Sequence, residues 1–143
     1  MLTQRSRYAL RAMLFLAEAP AGGPPVSMAR IAEAVNVPRK FLELILAELR
    51  AADLIVSTRG KMGGYRLARA RHLISLGDIV RLIEGPLALV PCVSRTAYRP
   101  CGDCHDEATC AIRHAMMRVR DETARILDGT SLADAAVQEL AAA

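Results

Sequence analysis

Between Leu2 and Glu18 the apolar residues Leu10, Met13, Leu14 and Ala17 recur at helical spacing, which predicts a first helix with these four as its buried stripe. The run Pro20-Ala21-Gly22-Gly23-Pro24-Pro25 breaks it into a loop. Ser27 is suited to cap a second, short helix whose apolar face is Met28, Ile31, Ala32 and Val35. Asn36-Val37-Pro38 then makes a tight turn, with Pro38 expected at the first position of a third helix, where a missing N–H costs nothing. In that helix Leu42, Ile45, Leu46 and Leu49 point inward, while Arg39, Lys40 and Glu43 fall on the other face.

Periodicity then changes. Leu54–Thr58 and Tyr65–Leu67 read as strands joined by the glycine-rich, basic loop Arg59–Gly64. Ser75 with Asp78 starts a fourth helix through a capping-box pattern, its apolar side is Ile79, Leu82 and Ile83, and Gly85-Pro86 ends it. Residues 87–110 show no clear period. A long helix is expected from Ala111 to Leu127, where Ile112, Met116, Val119, Thr123 and Ile126 repeat at alternating steps of four and three, the spacing of a seam for a partner helix. Asp128-Gly129 is expected to stop it, and Ser131 with Asp134 to cap a last short helix with a fraying alanine tail.

This order predicts a mainly α fold: a winged helix-turn-helix head with a two-stranded β wing, and a long C-terminal dimerisation helix. The boundaries expected are 1–86 for the head, 87–110 for a cysteine segment, and 111–143 for the dimerisation helix and tail. With 143 residues, the chain has room for one core. Aromatic residues are only 3% of the chain and Trp is absent, so that core must be aliphatic.

Charge sharpens the picture. Residues 1–75 hold 12 Lys or Arg against 5 Asp or Glu, and the remainder holds 7 against 10. The basic excess therefore sits with the head, where a polyanion would bind. In a winged helix-turn-helix the third helix enters the major groove and its first turns reach base edges. Arg39 and Lys40 suit guanine acceptors, and Glu43 can accept from the cytosine amino group. The hairpin tip would carry Arg59 and Lys61 to phosphates or the minor groove, with Gly60, Gly63 and Gly64 allowing close approach.

All four cysteines, Cys92, Cys101, Cys104 and Cys110, fall within one short segment. Thiolates converge in this way to hold a soft metal or a cluster. Structural zinc sites usually have two close pairs, and only Cys101–Cys104 is one here, which favours an iron–sulfur cluster over zinc. A metal-free switch in which Cys101 and Cys104 form a disulfide remains open. His105 and His114 lie near; a lone His is more often solvated than a ligand, and both rank behind the cysteines. No βαβ pattern surrounds the pair, which argues against a thioredoxin-type enzyme. Arg5, Arg7 and Arg11 precede an apolar stretch too short for a secretory signal, and no apolar run approaches the ~20 residues that span a bilayer. A cytoplasmic protein without a membrane partner is expected, its thiols in a reducing compartment.

Several stretches together resemble the iron–sulfur cluster regulators of the IscR, NsrR and RirA type. They are Leu2-Thr3 with Arg7–Arg11, Phe41-Leu42-Glu43, Arg59-Gly60 with Gly63-Gly64-Tyr65, Ile74–Val80, Ile83-Glu84-Gly85-Pro86, and the cysteine segment before a long helix. The resemblance spans essentially the whole chain. It implies a non-enzymatic transcription regulator, most simply a repressor. It also implies a homodimer on a near-palindromic double-stranded DNA operator, with Glu43 and Arg59 reading bases and the minor groove. Leu44 stands where some members carry a polar side chain. The cysteine spacing departs from the commonest three-cysteine pattern. The Cys104–Cys110 interval matches, the gap from Cys92 is longer, and Cys101 is extra. Ligands that other members take from outside do not carry over. Arg113 stands where some have a His, with His114 one further, and Arg7 stands where others have an acid. The resemblance thus implies a 2Fe–2S or 4Fe–4S cluster held by Cys92, Cys101, Cys104 and Cys110.

Overall fold

A computed structural model describes residues 2–142; Met1 and Ala143 lie outside the described residues. Six helices and one antiparallel hairpin follow in order: α1 (Gln4–Glu18), α2 (Met28–Val35), α3 (Arg39–Ala51), β1 (Ile55–Thr58), β2 (Gly64–Leu67), α4 (Leu76–Glu84), α5 (Ala111–Gly129) and α6 (Leu132–Ala142). The mainly α winged helix-turn-helix architecture expected from the pattern is present, with several boundaries moved for local reasons.

Helix α1 begins at Gln4 because Thr3 caps it, its side chain accepting from the Ser6 N–H. Its buried stripe is also rotated from the expected one. Ala9, Ala12, Met13, Leu16 and Ala17 are buried with Ser6, whereas Leu10 and Leu14 are only half-buried. The reason is that α1 is the central helix, packed on α2, α3, α4 and α6 at once. Small alanines let those neighbours come close.

Pro38 lies one position earlier than expected. It is the N-cap of α3, in an extended conformation, and its carbonyl accepts from Phe41 and Leu42. The turn before it is set by Asn36, whose left-handed backbone (φ 51°) ends α2. Leu42, Ile45, Leu46 and Leu49 are buried as expected and form the core with Ile31, Ile55, Ile74 and Ile79.

Strand β1 pairs with β2 in the register Ile55 with Leu67 through Thr58 with Gly64. A third element joins them that periodicity did not show. Val26 bridges Tyr65 through two backbone hydrogen bonds of 2.8 Å, so the hairpin is three strands wide beside its loop. Gly64 makes this possible, because a Cβ there would lie 2.3 Å from the Val26 carbonyl oxygen.

Helix α4 carries the capping box expected of Ser75 and Asp78; Ile79 is in the core with Leu82 and Ile83 half-buried against it, and Val80 is buried as well. Helix α5 includes Asp128 and ends at Gly129, two residues past the expected Leu127. Arg81 of α4 grips Asp128 with both guanidinium nitrogens, at 2.5 and 2.8 Å, which holds α4 to the end of α5. Ser131 and Asp134 cap α6 as expected, and α6 runs to Ala142. Helix α6 folds back on α1, and Leu132 is fully buried in the head's core. Among the described residues no helix is long and apolar enough to cross a membrane.

Candidate nucleic-acid interface and cysteine site

Two surfaces carry the chemistry. On the first, Arg39, Lys40 and Glu43 are all exposed on the opening turns of α3. Arg59 and Lys61 are exposed at the wing tip, where Gly60 takes a left-handed φ of 107° that lets the loop turn. Among the described residues none of these five makes an intramolecular ion pair or side-chain hydrogen bond, although other arginines do: Arg5 bonds Glu48 and Arg50 bonds Ser57. Unpaired cations on an exposed helix start and a protruding hairpin are what a phosphate backbone engages. The site residues expected from the sequence thus lie on α3 and the wing, two neighbouring projections of the head.

The second surface is the segment from Pro91 to Cys110. A single 3₁₀ turn at Pro91–Val93 buries Cys92, and Cys101, Cys104 and Cys110 are each half-buried. Cys110 is the N-cap of α5, its sulfur accepting from the Arg113 N–H at 3.4 Å. Both inner thiols are held above the ordinary cysteine value. For Cys101 the largest cause is a hydrogen-bonding interaction with Cys92, followed by burial and by the charges of Cys92, Cys104 and Asp103. For Cys104 it is burial, then the neighbouring Cys110, opposed by a backbone N–H from Asp106. The four sulfurs are therefore near enough to feel one another. They are not yet set for one ion: among the described residues no three His, Cys, Asp or Glu side chains are arranged to hold a metal. The donor set is entirely soft sulfur, and binding a metal or cluster would release the thiol protons that hydrogen bonding and burial now help to retain.

The segment is tied down by residues that periodicity could not single out. Tyr98 donates to Glu107 at 2.6 Å, which pushes the phenol pKa up. Glu107 pairs with Arg113 of α5 at 3.5 Å. Arg120 donates to the Val93 carbonyl at 2.5 Å, and Arg95 pairs with Asp121. Arg113 has a buried Nε that faces the Glu107 carboxylate as an ion pair without a well-formed hydrogen bond, and its backbone N–H caps onto Cys110. His105 and His114 are exposed.

The fold and these two surfaces define a winged helix-turn-helix transcription regulator. The Rrf2 family, described as iron-dependent transcriptional regulators, matches residues 2–138. The chain is 43% identical over 136 residues to the rrf2-like HTH-type transcriptional regulator of Rhodobacter capsulatus, covering 94% of this chain and 91% of that one. Its structure superposes on that of CymR, the global cysteine regulator of Bacillus subtilis, with a TM-score of 0.79 at 33% identity, covering 96% and 97% of the two chains. It superposes on IscR of T. potens with a TM-score of 0.76 at 29% identity, covering 97% and 88%. The protein belongs to the Rrf2 family, whose members are transcription regulators and not enzymes.

Proposed function

We propose that the protein is a homodimeric repressor that binds a near-palindromic DNA operator and senses iron, redox or nitric oxide status at an iron–sulfur cluster. Residues 1–86 would read DNA, 87–110 would hold the cluster on Cys92, Cys101, Cys104 and Cys110, and α5 would pair the two subunits. The observation that carries this reading is that four thiols, one buried and three half-buried, lie in one short segment that is tied to α5. The family's description as iron-dependent supports it.

When bound, a cluster supplies a centre that oxidants, nitric oxide or iron shortage remove. The remaining roles belong to the chain. The four cysteines supply thiolates, and Arg113, paired with Glu107, keeps its backbone N–H on the Cys110 sulfur. Tyr98, Glu107, Arg95 and Arg120 brace the segment against α5. That segment links the end of α4 to the start of α5, so its order sets how the head stands on the dimer. Half-sites lie about one helical turn apart, ~34–36 Å, and a head that shifts loses its match. Sensing is then a shift between two head spacings.

Helix α5 supports the dimer. It has no buried residue within the protomer, and Ile112 (67%), Val119 (41%) and Ile126 (55%) are exposed along the four-three seam. A row of large apolar groups on one face of a 19-residue helix wants a partner.

Anaerobic purification tests the cofactor. The expected product is coloured, with iron and acid-labile sulfide in similar amounts; a colourless protein holding stoichiometric zinc rejects the reading. Cys104→Ala should bind the operator with an affinity that no longer responds to oxidant or iron, while still folding.

A second reading has its own support. The interaction of Cys101 with Cys92 and the likeness to a cysteine regulator favour a metal-free thiol switch. Thiol counting after mild peroxide treatment of metal-free protein separates the two: loss of two thiols with loss of DNA binding favours the switch.

A further inference from the structure

The outward pole of α3 carries Lys40 but neither Arg39 nor Glu43. A helix turns about 100° per residue, so the buried Leu42, Ile45, Leu46 and Leu49 define an inward direction. Lys40, Leu44 and Ala47 lie within about 30° of its opposite, whereas Glu43 is about 70° and Arg39 about 110° away. Leu44 is 60% exposed, and Ala47 is exposed beside it. Phe41, 59% exposed, flanks this line and, with Tyr8, Pro38 and Leu44, lines an apolar hollow of about 440 Å³ between α3 and α1. Leu44 and Phe41 together make an apolar patch beside unpaired cations, and such a patch with a polar rim marks an interaction site.

We propose that Leu44 is a specificity-determining residue that packs against the C5-methyl group of a thymine, with Ala47 leaving room for the base edge. This rests on α3 being the helix that reads DNA. The charge pattern selects the occupant. Lys40 on the same line, and Arg59 and Lys61 on the wing, face the same partner and call for a polyanion. In the major groove the apolar group on a base edge is the thymine methyl. Leucine has no donor or acceptor, so it discriminates by burying that methyl and by leaving the amino or keto groups of other bases unpaired. Each half of the operator should therefore carry a T–A pair opposite Leu44, at a position that Glu43 and Arg39 do not set.

The test starts from a random-sequence duplex pool selected with the full-length protein. The selected duplex is then remade with deoxyuridine in place of thymine, one position at a time, which deletes only the methyl. The expected result is a single thymine per half-site whose methyl is worth about fourfold in affinity, equivalent to about 0.8 kcal/mol for one buried methyl. Leu44→Ala should abolish that penalty and leave the effect of other thymines unchanged. Leu44→Gln should move the preferred base at the same position from thymine to adenine, the base whose major-groove edge an amide matches. Should the alanine variant bind too weakly to compare, the glutamine selection decides alone. An unchanged base preference in Leu44→Gln, or an undiminished deoxyuridine penalty in Leu44→Ala, overturns the proposal and leaves DNA binding intact. Failure of the wild-type protein to enrich any sequence instead removes the DNA-reading role of α3, and the proposal falls with it.

Discussion

At the scale of single residues, the structure gives jobs to side chains that a periodic pattern treats as filler. Glu84 accepts from the Thr3 backbone N–H at 2.6 Å and from the Ser6 hydroxyl, so the end of α4 clasps the start of α1. The Ser6 bond first, then the two Thr3 bonds, hold its carboxyl below the usual 4.5. A carboxyl depressed in the folded state favours folding above its unfolded value, and that contribution fades as pH falls from about 4.5 through the lower folded value. Glu84→Gln should therefore melt below wild type at pH 6, and the gap should close on acidification toward pH 3. A gap that stays constant with pH would show that the carboxylate charge is irrelevant to the clasp.

Glycines give a sharper contrast. A Cβ on Gly77 would lie 2.0 Å from a side-chain oxygen of Asp128, and one on Gly64 would lie 2.3 Å from the backbone oxygen of Val26. The first obstacle can rotate away. Releasing an exposed ion pair costs about 0–1 kcal/mol, which roughly offsets the ~1 kcal/mol gained by replacing a helical glycine with alanine. Gly77→Ala should thus be close to neutral. The second obstacle is main chain fixed by two hydrogen bonds, so Gly64→Ala should cost about 1–3 kcal/mol in a denaturant titration. Equal costs for the two would contradict this distinction between movable and fixed neighbours.

At the scale of elements, strong periodicity carried far. The aliphatic face of α3, the caps on α2, α4 and α6, and the two strands of the wing were all legible, because each depends on neighbours within a few residues. What was not legible depends on distant partners. The rotation of the α1 stripe follows from four neighbouring helices, and the Val26 bridge from a loop meeting a hairpin. The crowding of cysteines in one segment was legible, but its bracing by Tyr98, Glu107 and Arg113 was not, since no local pattern links a loop tyrosine to the first turn of α5. Nor was the interaction of Cys101 with Cys92, nine positions back, which is the largest cause of its raised thiol pKa. The wing itself is testable as a unit. Replacing Arg59 and Lys61 together by alanine removes two unpaired cations from an exposed tip, so folding should be unaffected. The slope of log affinity against log salt should fall by about 2. Fluorescence anisotropy over a salt series measures it, and an unchanged slope would place the wing away from the phosphates.

At the scale of the whole molecule, the question is how a head of this size gains enough affinity to act as a switch. One α3 and one wing make few phosphate contacts, and a single module binds weakly at physiological salt. Joining two heads makes the second engagement intramolecular, which can raise overall binding by about 10²–10⁴ without any new contact. The row Ile112, Val119 and Ile126 is the part of the protomer suited to that task, since none of it is needed for the protomer's own core. Val119 sits at the middle of the row. A carboxylate there would be solvated in the monomer and buried unpaired in a dimer, which is strongly unfavourable. Val119→Glu should therefore shift the protein from dimer to monomer in analytical ultracentrifugation and lower operator affinity by about 10²–10⁴. The head should remain folded, and half-site DNA should be bound as before. The same substitution also separates sensing from assembly: cysteine chemistry confined to one segment should still respond to iron or oxidant in the monomer, while DNA affinity no longer follows it. If the variant remains a dimer with full affinity, the pairing surface lies elsewhere than on α5.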